Sequence, residues 1–180
     1  MYRKIITTVV LPLLLFAACS THTPEPVDTR FDYGYAVYYG PHYQNKGIDA
    51  DVWAMEFFSS GVRYDEAAAA YSGSGRILTL TDVFAEPSAD GALLPAGTYS
   101  IDTTFSAGTI IAGRRESGYD IGAYITTLVD GRATGIDYLT NGSMTVSPAD
   151  SARTDIAFRF RRQGRAVDFN FSDTLWVYVY

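Results

Sequence analysis

In "DIAFRFRRQGRAVDFNF", residues 155–171, apolar and polar side chains alternate on both sides of Gln163-Gly164. Ile156, Phe158 and Phe160 share one face of the first segment; Val167, Phe169 and Phe171 share one face of the second. A period of two is the mark of a half-buried strand. A two-residue loop at Gln163-Gly164 predicts a hairpin in which Phe160 faces Val167, Phe158 faces Phe169 and Ile156 faces Phe171. The same register sets Arg159 against Asp168 on the polar face, a favourable cross-strand pair. A slip by one residue would expose all six apolar side chains at once, so the register is well specified.

Further strands follow along the chain. They are predicted over 33–39, 52–58, 76–81 and 98–102, then within "AGTIIAG", "YDIGAYITTLV", "TGIDYLT", "GSMTVS" and "TLWVYVY". Turn signals such as Gly40-Pro41, Asp130-Gly131 and Asn141-Gly142 separate them. In the last segment Trp176, Tyr178 and Tyr180 fall on one face. "YDEAAAAYS", 64–72, is the one helical candidate, and it is short enough to predict only a turn of helix on a loop. Strands at this spacing predict an all-β domain over 31–180, an antiparallel β-sandwich or, as the alternative, a calycin-like barrel.

The N-terminus has a different pattern. Arg3 and Lys4 precede an apolar run, Ile5 to Ala18, which is shorter than the ~20 residues of a membrane-spanning helix and has the length of a secretory signal core. It ends in "FAAC", which resembles the lipobox of bacterial lipoproteins, whose cysteine is acylated and becomes the new N-terminus. That resemblance implies a signal peptide at 1–18 and a lipidated Cys19, the sole cysteine. Residues 19–30, rich in Pro and hydroxyl side chains, read as a tether.

Charge narrows the partners. The chain carries 14 basic and 20 acidic residues, a net of −6. Removal of the signal takes Arg3 and Lys4, leaving twelve against twenty, a net of −8. Such a surface repels phosphate backbones, so nucleic acid is not expected. The arginines look scattered along the sequence.

The candidate chemistry is sparse. "YGYAVYYGPHYQ", 33–44, holds five tyrosines. Strand parity groups Tyr33, Tyr35, Val37 and Tyr39 as a core wall and leaves Tyr38 on the other face. His42 and Tyr43 then fall in a loop near Asp49 and Asp51. Rings beside carboxylates can stack on and hydrogen-bond a sugar, so Tyr38, His42, Tyr43, Asp49 and Asp51 are the candidate ligand-binding residues. The alternative is that these tyrosines only pack. No catalytic residue is assigned: His42 and the tether's His22 are the only histidines, and Cys19 is committed to lipid. No ligand spacing for zinc is present, and "DADVW" lacks the later residues of a calcium loop. No metal or cofactor is expected. Glu56 stands mid-strand opposite the Trp53, Met55 and Phe57 face, a solvated residue in a sandwich or, as the alternative, a lumen or cleft carboxylate.

"AVYYGPHY", "GRILTLTDVF", "LPAGTYSI", "AGTIIAG" and "NGSMTV" occur in an order that resembles small uncharacterised Bacteroidetes outer-membrane lipoproteins. The resemblance implies a lipid-anchored β-domain at the outer membrane, on its cell-surface or periplasmic side, and carries over no catalytic residue. The expected function is a non-enzymatic binding module, with glycan as the first ligand class. The alternatives are a polysaccharide hydrolase using paired carboxylates, or an assembly subunit that pairs with a protein partner through its "LWVYVY" edge.

Overall fold

The computed structural model describes residues 29–65, 67–88, 93–147, 153–162 and 164–180. The signal segment, Cys19 and all but the end of the tether lie outside the described residues. In chain order the first strands are β1 (Arg30–Phe31), β2 (Tyr33–Gly40), β3 (Asp51–Phe58), β4 (Val62–Asp65), β5 (Ala70–Gly73) and β6 (Gly75–Ala85). Next come β7 (Gly97–Asp102), β8 (Thr109–Ile111), β9 (Arg114–Glu116), β10 (Tyr119–Ile121), β11 (Ala123–Val129) and β12 (Arg132–Tyr138). The last four are β13 (Gly142–Val146), β14 (Thr154–Arg162), β15 (Arg165–Asp173) and β16 (Leu175–Val179). The domain is all-β, as the alternation predicts.

The β14–β15 hairpin has the expected register, with Phe160 on Val167, Phe158 on Phe169, Ile156 on Phe171 and Arg159 on Asp168. The Arg159–Asp168 pair is 3.8 Å apart and half exposed, so it adds at most about 1 kcal/mol. The apolar face carries the energy. Phe158 packs edge-on against Phe31 at 5.9 Å and Phe57 at 5.0 Å, and Phe171 reaches Phe57 at 5.2 Å. These rings, with Trp53 and Phe169, are fully buried in the main core.

The sheet closes on itself. From β15 the ladder runs through β14, β13, β7, β8, β6 and β3 to β2. One residue, Asp32, separates β1 from β2, and one residue, Thr174, separates β15 from β16. β1 lies parallel to β15, with Phe31 beside Phe171, and β2 lies parallel to β16, with Gly34 beside Leu175. The first described strands therefore run along the last, and the sheet curls into a barrel-like form around the phenylalanine core. The sequence predicts antiparallel pairing alone. Three pairs are instead parallel: β1–β15, β2–β16 and β7–β8. Two of them are the closing seam.

Three local expectations need correction. Among the described residues of 64–72 there is no helix; they belong to the β4–β5 hairpin. The Asp65 carboxylate accepts the backbone N–H groups of Ala67 and Ala68 at 2.9 and 3.1 Å, which fixes a turn that competes with helix. Val62 is buried at its base and Tyr64 meets Tyr71 across it at 5.1 Å. "YDIGAYITTLV" divides at Gly122, whose φ of +77° and close approach to the Ala112 carbonyl only glycine accepts.

The third correction concerns the tyrosines. On β2 the main core takes Gly34, Ala36 and Tyr38; Tyr33 and Tyr35, on the other face and half-buried, wall a second cluster with Phe58, Val62 and Ile77, and Tyr39 a third with Val52 and Phe84. The reason is volume. A Cβ on Gly34 would sit 2.6 Å from the Phe57 ring, so the barrel interior, already filled by rings from other strands, accepts only small side chains from this end of β2.

Candidate aromatic binding cleft

The outward face of β2 builds a cleft. β16 lies beside it with Trp176 level with Tyr35 and Tyr178 level with Val37. Leu175 and Val177 take the inward positions, so parity forces Trp176 and Tyr178 out. Across β2, Phe58 of β3 forms the floor; Arg63 and Tyr64 of β4 form the far wall. The cleft encloses about 560 Å³, within the range of small-molecule sites.

Its rings are held in place. Tyr33 stacks on Phe58 at 4.5 Å, and Tyr178 meets Tyr35 edge-on at 6.2 Å. The Tyr33 hydroxyl donates to the Val62 carbonyl at 3.2 Å. Arg63 Nη1 donates to the Ser60 and Val62 carbonyls, both at 2.8 Å, with its guanidinium 6.0 Å from the Tyr33 ring centre. Those two bonds leave other N–H groups of the fork to meet a ligand.

Glu56 fixes the layer beneath. Its Oε2 accepts the Tyr35 hydroxyl at 2.6 Å and the Tyr71 hydroxyl at 3.4 Å, and its Oε1 accepts Thr79 Oγ1 at 3.2 Å. Glu56 is thus not a lumen acid but a cleft carboxylate, lining a cavity of about 320 Å³ with Tyr71, Thr79 and Tyr124. It is on the outside of the barrel, under the β4–β5 hairpin, orienting two tyrosines. Burial first, and then the Glu56 carboxylate, push the Tyr35 phenol well above its ordinary range; the same two causes raise Tyr71.

The residues singled out from sequence lie elsewhere, and the structure divides them. The Tyr38 hydroxyl donates to buried Asp51 at 2.8 Å, and its ring packs on Trp53 at 4.8 Å. Asp51 also accepts the Ser88 N–H at 3.0 Å. Tyr43 donates to Asp82 at 3.0 Å and touches the His42 ring at 4.8 Å, with Lys46 Nζ over its own ring at 4.8 Å. Asp49 is exposed. Tyr38 with Asp51 forms one packed pair and His42 with Tyr43 another. Of the cleft residues, the shared face of Trp176 and Tyr178 was visible in the final alternation, but its juxtaposition with Tyr33 and Tyr35 was not. Among the described residues no three His, Cys, Asp or Glu side chains gather as a metal site.

The tyrosines make a pH prediction. Tyr43 and Tyr99 are each pushed up to about 12, chiefly by burial, and Tyr35 and Tyr71 also rise. An unfolded phenol ionises near pH 10. The folded state holds these protons longer, so their contribution is complete below pH 10 and is lost as pH rises from there through about 12. Urea midpoints should therefore hold level up to about pH 9 and then fall, with the phenolate absorbance of the buried tyrosines appearing together with unfolding. Full phenolate absorbance from a still-folded chain would contradict the assignment.

Compared with family models, curated protein sequences and solved structures, the chain matches none.

Proposed function

We propose that this protein is a non-enzymatic binding module of the bacterial cell envelope, held by lipid at Cys19, and that its aromatic cleft takes up a glycan. The observation that carries this reading is the pair of rings on β16. Trp176 is 63% and Tyr178 is 60% exposed, whereas every described phenylalanine but Phe105 is buried. Clustered exposed rings on a folded surface usually mark a binding site. A pyranose has an apolar C–H face to lay against such rings and hydroxyl edges for donors such as the oriented Arg63 guanidinium. The lining is aromatic and cationic rather than carboxylate, which supports binding over glycoside hydrolysis, a reaction that needs two placed acids.

The test is a glycan array probed with the purified full chain. Binding to a defined subset of neutral or acidic glycans, competed by the free sugar, is the expected result. Binding to none of them would overturn the reading and leave a protein partner at β16 as its successor. The anchor is tested apart from the cleft. Cys19→Ser is expected to move the protein out of the membrane fraction or to leave its signal uncleaved; normal processing and membrane association would refute lipidation.

A further inference from the structure

One end of the barrel has a chemistry of its own. On β14 and β15 the core face reads Ile156, Phe158, Phe160, then Arg162; and Phe171, Phe169, Val167, then Arg165. On β6 the core residues Leu80 and Leu78 are followed, toward the same end, by Arg76. Three strands that are apolar along their inward face thus each finish in an arginine. Three of the arginines that look scattered in sequence line one cavity here, of about 540 Å³, whose floor includes Ile125, Val167 and Phe169.

These charges are not balanced within the cavity. Asp137, level with Ile125 on β12, pairs with Arg162 at 2.8 Å. Asp168 also borders the cavity, but it lies on the opposite face of β15, where it pairs with Arg159. Among the described residues, neither Arg76 nor Arg165 has a carboxylate partner. Arg165 also stands directly opposite Arg162 across the hairpin end, a like-charge pairing that costs stability in a sheet. Three guanidinium groups against one engaged carboxylate make a cationic mouth in a chain of net charge −6, and such a mouth concentrates anions.

The floor decides which anions. Ile125 and Phe169 are core residues, and Val167 packs against that core. No exposed ring lies among the cavity's lining to receive a sugar face. A ligand that satisfies both parts needs an anionic head and an apolar body. We propose that this mouth is a second binding site, for a small amphiphilic carboxylate, with its head held by Arg76 and Arg165 and its chain lying over Ile125 and Val167. The site is separate from the aromatic cleft and does not depend on the glycan reading.

The experiment is calorimetric titration of the purified full chain with octanoate below its micelle concentration. Octanol supplies the chain without the charge, and glucuronate supplies the charge without the chain. Octanoate is expected to bind at least about tenfold more tightly than either, and more weakly as salt is raised. Arg76→Gln and Arg165→Gln should each weaken it about tenfold, the scale of a lost charge-assisted hydrogen bond. Arg161→Gln, on the outer face of β14, should leave it unchanged, as should Trp176→Ala. The Arg165→Gln variant removes a like-charge pairing, so its unliganded melting temperature should not fall, and weak binding by it cannot be ascribed to unfolding. Absence of octanoate binding, equal binding of octanol or glucuronate, or unchanged binding by both mouth variants would each overturn the proposal.

Discussion

Phe158→Ala is expected to remove about 3–5 kcal/mol of folding stability, the usual range for emptying a fully buried phenylalanine site. The ring is completely buried and touches Phe31, Phe57 and Phe160 at centroid distances of 5.9, 5.0 and 5.8 Å. On the sheet it lies between Met144 of β13 and Phe169 of β15. Its removal therefore loosens the hairpin and the closing seam together, because Phe31 belongs to the strand that joins the ends of the barrel. Domains of this size have only about 5–15 kcal/mol in total, so the variant should be marginal at physiological temperature. Phe105 is the control: it is 48% exposed and, among the described rings, meets that of Phe84 alone, edge-on at 5.6 Å. Phe105→Ala should shift the urea midpoint far less. Equal midpoints for the two variants would mean that the phenylalanine cluster is not the core.

Trp176→Ala combined with Tyr178→Ala is expected to abolish glycan binding at array concentrations while leaving the fold intact. Each buried aromatic anchor in a binding site commonly contributes about 2 kcal/mol or more, so losing both should weaken affinity by a factor on the order of 10³. The stability cost should be small. Both rings are mostly exposed in the free protein, and such surface substitutions usually stay within about 0.5 kcal/mol. Leu175 and Val177, which hold β16 to the core, are untouched. Arg63→Gln is the graded companion: it keeps the rings and removes the charge, so it should reduce affinity without eliminating it. A folded double variant that still binds with wild-type affinity would remove the cleft from the function. The corresponding Tyr38→Ala/Tyr43→Ala variant should lose stability first, because Tyr38 satisfies buried Asp51 and Tyr43 satisfies Asp82.

The class of the fold, the approximate position of most strands and the whole β14–β15 register are legible in the order of the residues. Those features are local. Alternation with period two, a glycine-bearing turn and a matched charge pair all lie within one short segment, and a single slip is penalised by six side chains at once. The order of the residues does not determine which face of β2 turns inward, because both faces are apolar and alternation says only that they differ. The packed interior decided that: with Phe31, Phe57, Phe158 and Phe171 already in place, only Gly34 and Ala36 fit beside them. The parallel seam of β2 with β16 joins opposite ends of the domain, so no local pattern encodes it. Both proposed sites depend on that closure. Trp176 lies beside Tyr35, and Arg76 and Arg165 line one cavity, only because the sheet returns to its first strand, and where two distant segments pair is set by the whole barrel rather than by either segment.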